Sequence, residues 1–209
     1  MSVICPTITE TTIDGYNKRI EKLGTYAERI HPDLTDDDFA PNKTINLAQL
    51  HWPKYLIVDL HVMYRYPARH LETVVGLNPH MMVFHAEAEG DLFKLIDDLQ
   101  AAGVKAGVAL LQDTTVKSKK ELIEKADHVL VFSGKLGYHG GSVDFGQTSK
   151  VAQIKAINPS VEIGWDGGVS VKNAKELSYA GIDVLNAGGA IAHANDEQAA
   201  YQQLVDSIS

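Results

Sequence analysis

The chain has 209 residues, of which 44% are hydrophobic and 22% charged, and its formal net charge is −8. That is globular composition, long enough to bury a sizeable core. No basic block offsets the negative charge, which excludes a general nucleic-acid-binding or membrane-surface role, and no window approaches the roughly 18 apolar residues of a membrane span. The single cysteine, Cys5, rules out an intrachain disulfide and fits a reducing compartment. With no signal-like stretch at the start, a cytoplasmic protein is expected.

Short β-branched runs alternate with amphipathic stretches along the chain. In order, the patterns predict a strand over 3–8, a helix over 15–23, strands over 28–33 and 55–62, a helix over 68–75 and a strand over 81–85. They continue with a helix over 91–102, a strand over 105–110, a helix over 119–126, a strand over 128–133 and a helix over 148–157. A strand over 162–166, a helix over 171–180, a strand over 184–186 and a helix over 197–207 complete the series. Leu92, Leu95, Ile96 and Leu99 repeat with helical spacing, and Gly103 and Gly181 read as C-caps leading into the next strand. Eight strands alternating with helices imply a parallel sheet, and eight is the number that closes a barrel. The expected fold is α/β, a single (β/α)8 TIM barrel over residues 1–209. The alternative is an open doubly wound sheet; no Gly-x-Gly-x-x-Gly follows the first strand, which counts against it.

In such a barrel all strand C-termini open on one mouth. His31-Pro32-Asp33, Asp59-Leu60-His61 and Asp166-Gly167-Gly168 each put a histidine or carboxylate near a strand end. Alternation lets His31 and Asp33 point inward together while Pro32 points away, and likewise pairs Asp59 with His61. The mouth is expected to collect Thr7, His31, Asp33, His61, His85, Asp166 and Asn186. His31, Asp33, His61 and Asp166 would offer two nitrogens and two oxygens to one divalent metal, Zn, Fe, Mn or Co. Taken singly, each also reads as a strand-end cap or local pair.

Two glycine loops supply an anion site. Gly188-Gly189 follows the last strand and Gly167-Gly168 the seventh, where barrels of this kind cradle phosphate on backbone N–H groups. The loop after the sixth strand, 134–142, is glycine-dense, with Gly137, Gly140 and Gly141 as candidate substrate contacts and Lys135 and His139 as further ones. The acidic run Asp36-Asp37-Asp38 is expected to be mostly solvated, with Asp36 nearest the mouth. Cys5 reads as a small core residue, and His51, His70, His80, His128 and His193 receive no role.

In this order the motifs resemble those of the ribulose-phosphate 3-epimerase family. Residues 31–42 are similar to its His-x-Asp-Val-Met-Asp-Gly-x-Phe-Val-Pro-Asn, Asp59-Leu60-His61-Val62-Met63 to Asp-Val-His-Leu-Met, and His85-Ala86-Glu87-Ala88 to His-x-Glu-Ala. Cys5-Pro6-Thr7-Ile8 stands at the family's first strand, and Trp165-Asp166-Gly167-Gly168-Val169 at its Val-Asp-Gly-Gly-Ile. The resemblance implies a ribulose-phosphate-binding barrel and a metal-dependent epimerase inverting carbon 3 of a ketose phosphate, D-ribulose 5-phosphate by default. It implies metal ligation by His31, Asp33, His61 and Asp166, with Asp33 and Asp166 also the catalytic acid/base pair. Thr7, His61, Gly137, Gly140, Gly141, Gly167, Gly168, Gly188 and Gly189 are the expected substrate and phosphate contacts. The implied partner is a small sugar phosphate, and a homo-oligomer is expected.

The departures concern the substrate. Thr35 replaces a methionine and predicts a more polar pocket; Asp37 replaces a glycine; the loop after strand six keeps only scattered glycines; Gly189 loses a hydroxyl. A six-carbon ketose phosphate such as allulose 6-phosphate and a non-catalytic sugar-phosphate binder are the alternatives. A lyase of the hexulose-phosphate synthase or decarboxylase type is disfavoured, because His61 stands where those relatives carry lysine.

Overall fold

Strands buried on both faces need nearly continuous apolar runs. All eight such runs form strands in the computed structural model, which describes residues 2–138 and 141–209. They are β1 Val3–Ile8, β2 Arg29–Thr35, β3 Ile57–Met63, β4 Met81–His85, β5 Lys105–Leu110, β6 His128–Phe132, β7 Glu162–Asp166 and β8 Val184–Ala187. Each pairs in parallel with the next, and β8 returns to β1, so the sheet closes into a barrel. Closure leaves no edge strand to guard.

The helices are α1 Ile13–Leu23, α2 Leu71–Leu77, α3 Leu92–Ala101, α4 Lys120–Lys125, α5 Ser149–Ile157, α6 Ala174–Tyr179, α7 Gly189–Ala192 and α8 Glu197–Ile208. The differences from the sequence patterns have local causes. α1 starts earlier than its apolar spacing predicts because the Thr12 side chain caps it by accepting from the Gly15 N–H. A 3-10 turn, Pro67–His70, takes the first part of the stretch before α2. α6 begins only at Ala174, because Asn173 Oδ1 accepts from the Ser170 N–H and holds the preceding residues as a loop. The expected strand over 128–133 stops at Phe132: Ser133 donates its N–H to the Asp166 carbonyl while its Oγ accepts from Asp144 N–H, which turns the chain.

Two apolar layers result. Outside the barrel, residues such as Leu95, Ile96 and Leu99 of α3 and Leu204 of α8 pack on the outward faces of the strands. Inside, Met81, Val83, Ala109 and Leu130 form a small plug. At the N-terminal end of the strands lies an ionic layer. Arg29 Nε meets Asp59 Oδ2 at 2.6 Å, and its other nitrogens meet Glu162 at 2.9 and 2.7 Å. His80 and His128 join through Asp59 and Glu162, each contact 2.8 Å. Asp59 therefore shares an inward face with His61, as alternation requires, but belongs to this lower layer and not to the mouth.

Candidate active site

Every second strand residue faces inward. This points His31 and Asp33 of β2, His61 of β3 and Asp166 of β7 into the barrel, with Asp33 level with His61 and Asp166 level with Asn186. One ligand-type atom from each of His31, Asp33, His61 and Asp166 lies within 4.8 Å of all the others. His61 Nδ1 is 3.0 Å from Asp33 Oδ1 and 3.5 Å from Asp166 Oδ2, while His31 Nε2 is 3.7 Å from Asp33 Oδ1. Thr9 Oγ1 donates to Asp33 Oδ2 at 2.8 Å and fixes that carboxylate from the other side.

The electrostatics follow from burial. At His61 burial opposes a charge, but hydrogen bonds to Asp166 and Asp33, with their negative charge, outweigh it and raise the imidazole pKa to about 9. At His31 burial wins and the pKa is lowered. Burial pushes the Asp33 carboxyl up, yet the bond from His61 and the neighbouring His31 hold it below the usual carboxylate range. Two carboxylates in so enclosed a place demand a positive charge between them. A protonated His61 meets that demand, and a divalent cation taking the place of its Nδ1 proton would meet it as well. Among the described residues His31 Nε2 is buried with no hydrogen-bond partner, an imidazole nitrogen within a set of two nitrogens and two oxygens.

Behind the cluster runs a polar chain that only its first members foreshadow in sequence. His61 Nε2 meets His85 Nε2 at 3.0 Å. Burial lowers the His85 pKa to about 4 against the pull of Glu87, so its ring is neutral near pH 7. One of the two facing nitrogens must carry the proton: His61 donates and His85 accepts. That leaves His61 Nδ1 aimed at the carboxylates. His85 Nδ1 faces Glu87 Oε2 at 3.5 Å, and Glu87 Oε1 accepts from Thr114 Oγ1 and from the Leu111 N–H.

Above the cluster opens a cavity of about 620 Å³. Thr7, Gly137, Gly141, Gly167, Gly168, Gly188 and Gly189 line it, together with Asp33 and Asp166. His61 is fully buried and lies beneath the lining, so of its two expected roles the geometry favours metal ligation over substrate contact. Gly140 and His139 lie outside the described residues. Lys135 does not line the cavity; its ammonium sits 4.3 Å over the Tyr138 ring. Lys172 and His193, singled out by no motif, do line it.

Three residues at or just after the end of β2 that depart from the family pattern or carry charge find local partners or local geometry. Thr35 lines the cavity, and its hydroxyl is held by loop backbone: it donates to the Asn42 carbonyl at 2.6 Å and accepts from the Thr44 N–H. Asp37 and Asp38 are exposed, as expected of the acidic run, while Asp36 is half-buried. Its carboxylate accepts from the Asp38, Phe39 and Arg65 N–H groups and ties the β2 and β3 loops together. Asp37, at the family's glycine position, holds a positive φ of 65°, a conformation that Asp tolerates better than most residues.

The comparisons with known proteins agree with this geometry. The family model of the ribulose-phosphate 3 epimerase family matches residues 3–192. The ribulose-phosphate 3-epimerase of Helicobacter pylori (strain J99) is 29% identical, covering 96% of this chain and 95% of that protein. That of Schizosaccharomyces pombe is 27% identical, covering 98% and 93%. Among solved structures, KGPDC from Streptococcus mutans superposes with a TM-score of 0.78 at 12% identity, covering 100% of this chain and 97% of that one, a likeness of fold alone. Matched over nearly its whole length, the chain belongs to the ribulose-phosphate 3-epimerase family, a family of isomerases.

Proposed function

We propose that this chain is a metal-dependent epimerase that inverts carbon 3 of a ketose phosphate, converting D-ribulose 5-phosphate to D-xylulose 5-phosphate. The observation that carries this reading is the cluster at the cavity floor, where carboxylates from β2 and β7 both reach His61. Inversion requires a base on one face of the reacting carbon and an acid on the other. Asp33 and Asp166 come from well-separated strands and both line the cavity. One removes the C3 proton and the other returns a proton from the opposite face.

His31 and His61, with the two aspartates, would hold a divalent ion, which when bound would polarise the C2 carbonyl and stabilise negative charge on the enediolate oxygens. Thr9 and His61 hold Asp33 in one orientation, so proton transfer needs no side-chain search. The phosphate is placed against the glycine loops. Trp165 Nε1 donates to the Gly167 carbonyl and Asn173 Nδ2 to the Gly168 carbonyl. A trans peptide then turns the Gly168 and Val169 N–H groups away from those partners, in a loop that lines the cavity. Lys172 adds a cationic side chain to that lining, and Phe132, Val143 and Phe145 supply apolar walls that exclude water.

The test is exchange of the C3 proton in D₂O. Protein supplied with Mn²⁺ or Zn²⁺ should place deuterium at C3 of D-ribulose 5-phosphate as D-xylulose 5-phosphate accumulates. Metal bound at the cluster with no exchange would reduce the chain to a sugar-phosphate binder.

A further inference from the structure

Asn186 points inward on β8, level with Asp166 in the β7–β8 register and with Cys5 in the β8–β1 register. It is 2% exposed and lines the cavity, yet among the described residues neither Oδ1 nor Nδ2 of its amide has a hydrogen-bond partner. Buried side-chain amides are almost always paired, because an unpaired one keeps the full cost of leaving water. Its register neighbours do not relieve it. The Cys5 thiol is buried and unbridged, and the Asp166 carboxylate is turned to His61. A polar group left unpaired at a cavity wall is complementary to something that arrives there.

The place on the strand says what. Asn186 stands beside Asp166, one of the two carboxylates facing carbon 3, and two residues before Gly188. At about 3.3 Å per strand residue the amide lies roughly 7 Å along β8 from the phosphate loop. Resting on the epimerase reading above, we propose that Asn186 is a specificity-determining residue that hydrogen-bonds the substrate hydroxyl lying between the reacting carbon and the phosphate. In a ketose 5-phosphate this is the C4 hydroxyl. An amide offers both a donor and an acceptor, and a hydroxyl can answer either. The reaction leaves C4 untouched, so the contact selects and orients the sugar and moves no proton. A site built around such a contact rejects a ligand lacking the hydroxyl far more strongly than an apolar wall would.

The experiment measures binding of D-ribulose 5-phosphate and of its 4-deoxy analogue to the Mn²⁺-loaded wild type, Asn186→Val and Asn186→Thr, alongside thermal melting of the free proteins. The wild type should prefer the parent sugar about tenfold or more, Asn186→Thr should keep part of that preference through its hydroxyl, and Asn186→Val should lose it. Free Asn186→Val should melt no lower than the wild type, since a near-isosteric apolar group removes an unpaired amide; the Thr variant carries the comparison if Val does not fold. Equal binding of both sugars by the wild type, no binding of either, or preference retained in Asn186→Val overturns the assignment. So does a Val variant that melts far lower while binding both sugars as the wild type does, which would mean that the amide is paired inside the protein. C3 deuterium exchange on the same samples judges the epimerase reading separately: preference for the parent sugar without exchange leaves Asn186 in this role and removes the reaction.

Discussion

In the proposed mechanism Asp33 and Asp166 do two things at once, holding a cation and moving a proton. Asp33→Asn and Asp166→Asn keep the side-chain volume and remove the charge. Each should lower the epimerisation rate by roughly 10³, within the range of general acid/base catalysis. Activity within a few-fold of the wild type in either variant, measured at saturating metal, would contradict the two-carboxylate mechanism. His85 acts one step further back, by accepting from His61 Nε2 and so presenting Nδ1 to the cluster. Losing such an outer partner costs about 10–100-fold in metal affinity. His85→Leu should show that loss in a chelator competition, with partial recovery in His85→Gln, which restores an acceptor; unchanged affinity in both would make His85 a packing residue only. Strand periodicity shows that His31, Asp33, His61 and His85 share inward faces. It does not show that Glu87, facing His85, meets Thr114, because that contact joins residues 27 apart.

At the scale of elements, the β7–α6 loop is held by side chains to which the sequence assigns no role. Trp165 and Asn173 each take one of its carbonyls, while Gly168 adopts a φ of +72° and sits so close that a Cβ would collide with the Val143 backbone. Gly168→Ala should therefore raise KM for the phosphorylated substrate by about tenfold through strain of roughly 1–3 kcal/mol, with kcat changed less. A kcat loss with KM unchanged would mean that the loop serves the reacting end and not the phosphate. The strands were legible because each is a short apolar run bounded by turn residues: β1, β4, β5 and β7 begin and end where those runs do. Helix starts were less legible, since caps such as Thr12 and clamps such as Asn173 are single side chains outside the periodic pattern. The hydrogen-bond partners of Thr35 and Asp36 are hidden in the sequence for a related reason. A polar residue near the mouth can spend its hydrogen bonds on loop backbone, and sequence does not show which partner it finds.

For the whole molecule, the barrel interior carries two polar layers and the apolar plug of Met81, Val83, Ala109 and Leu130. The lower layer is structural. Burial pushes the Glu162 carboxyl up, but hydrogen bonds from Arg29 and His128 outweigh it and hold it far below the usual range. At Asp59, likewise, burial is overcome by His80 and Arg29. Unfolded, both would titrate near ~4. Their contribution to stability is therefore full above that range and is lost as pH falls through the lower folded values. Melting temperatures of the wild type and Glu162→Gln should differ most near neutrality and converge below about pH 4; a constant gap across pH would mean that the carboxylate is not what Arg29 relies on. In the proposed function the upper layer holds a cation on His31, Asp33, His61 and Asp166 that enables epimerisation. The most direct test is metal content of the purified protein, with epimerisation of D-ribulose 5-phosphate assayed on the same sample. About one divalent ion per chain, lost together with activity in His31→Ala, is the predicted result. No bound metal even after addition of Zn²⁺, Mn²⁺ or Fe²⁺, or turnover indifferent to its removal, would contradict it.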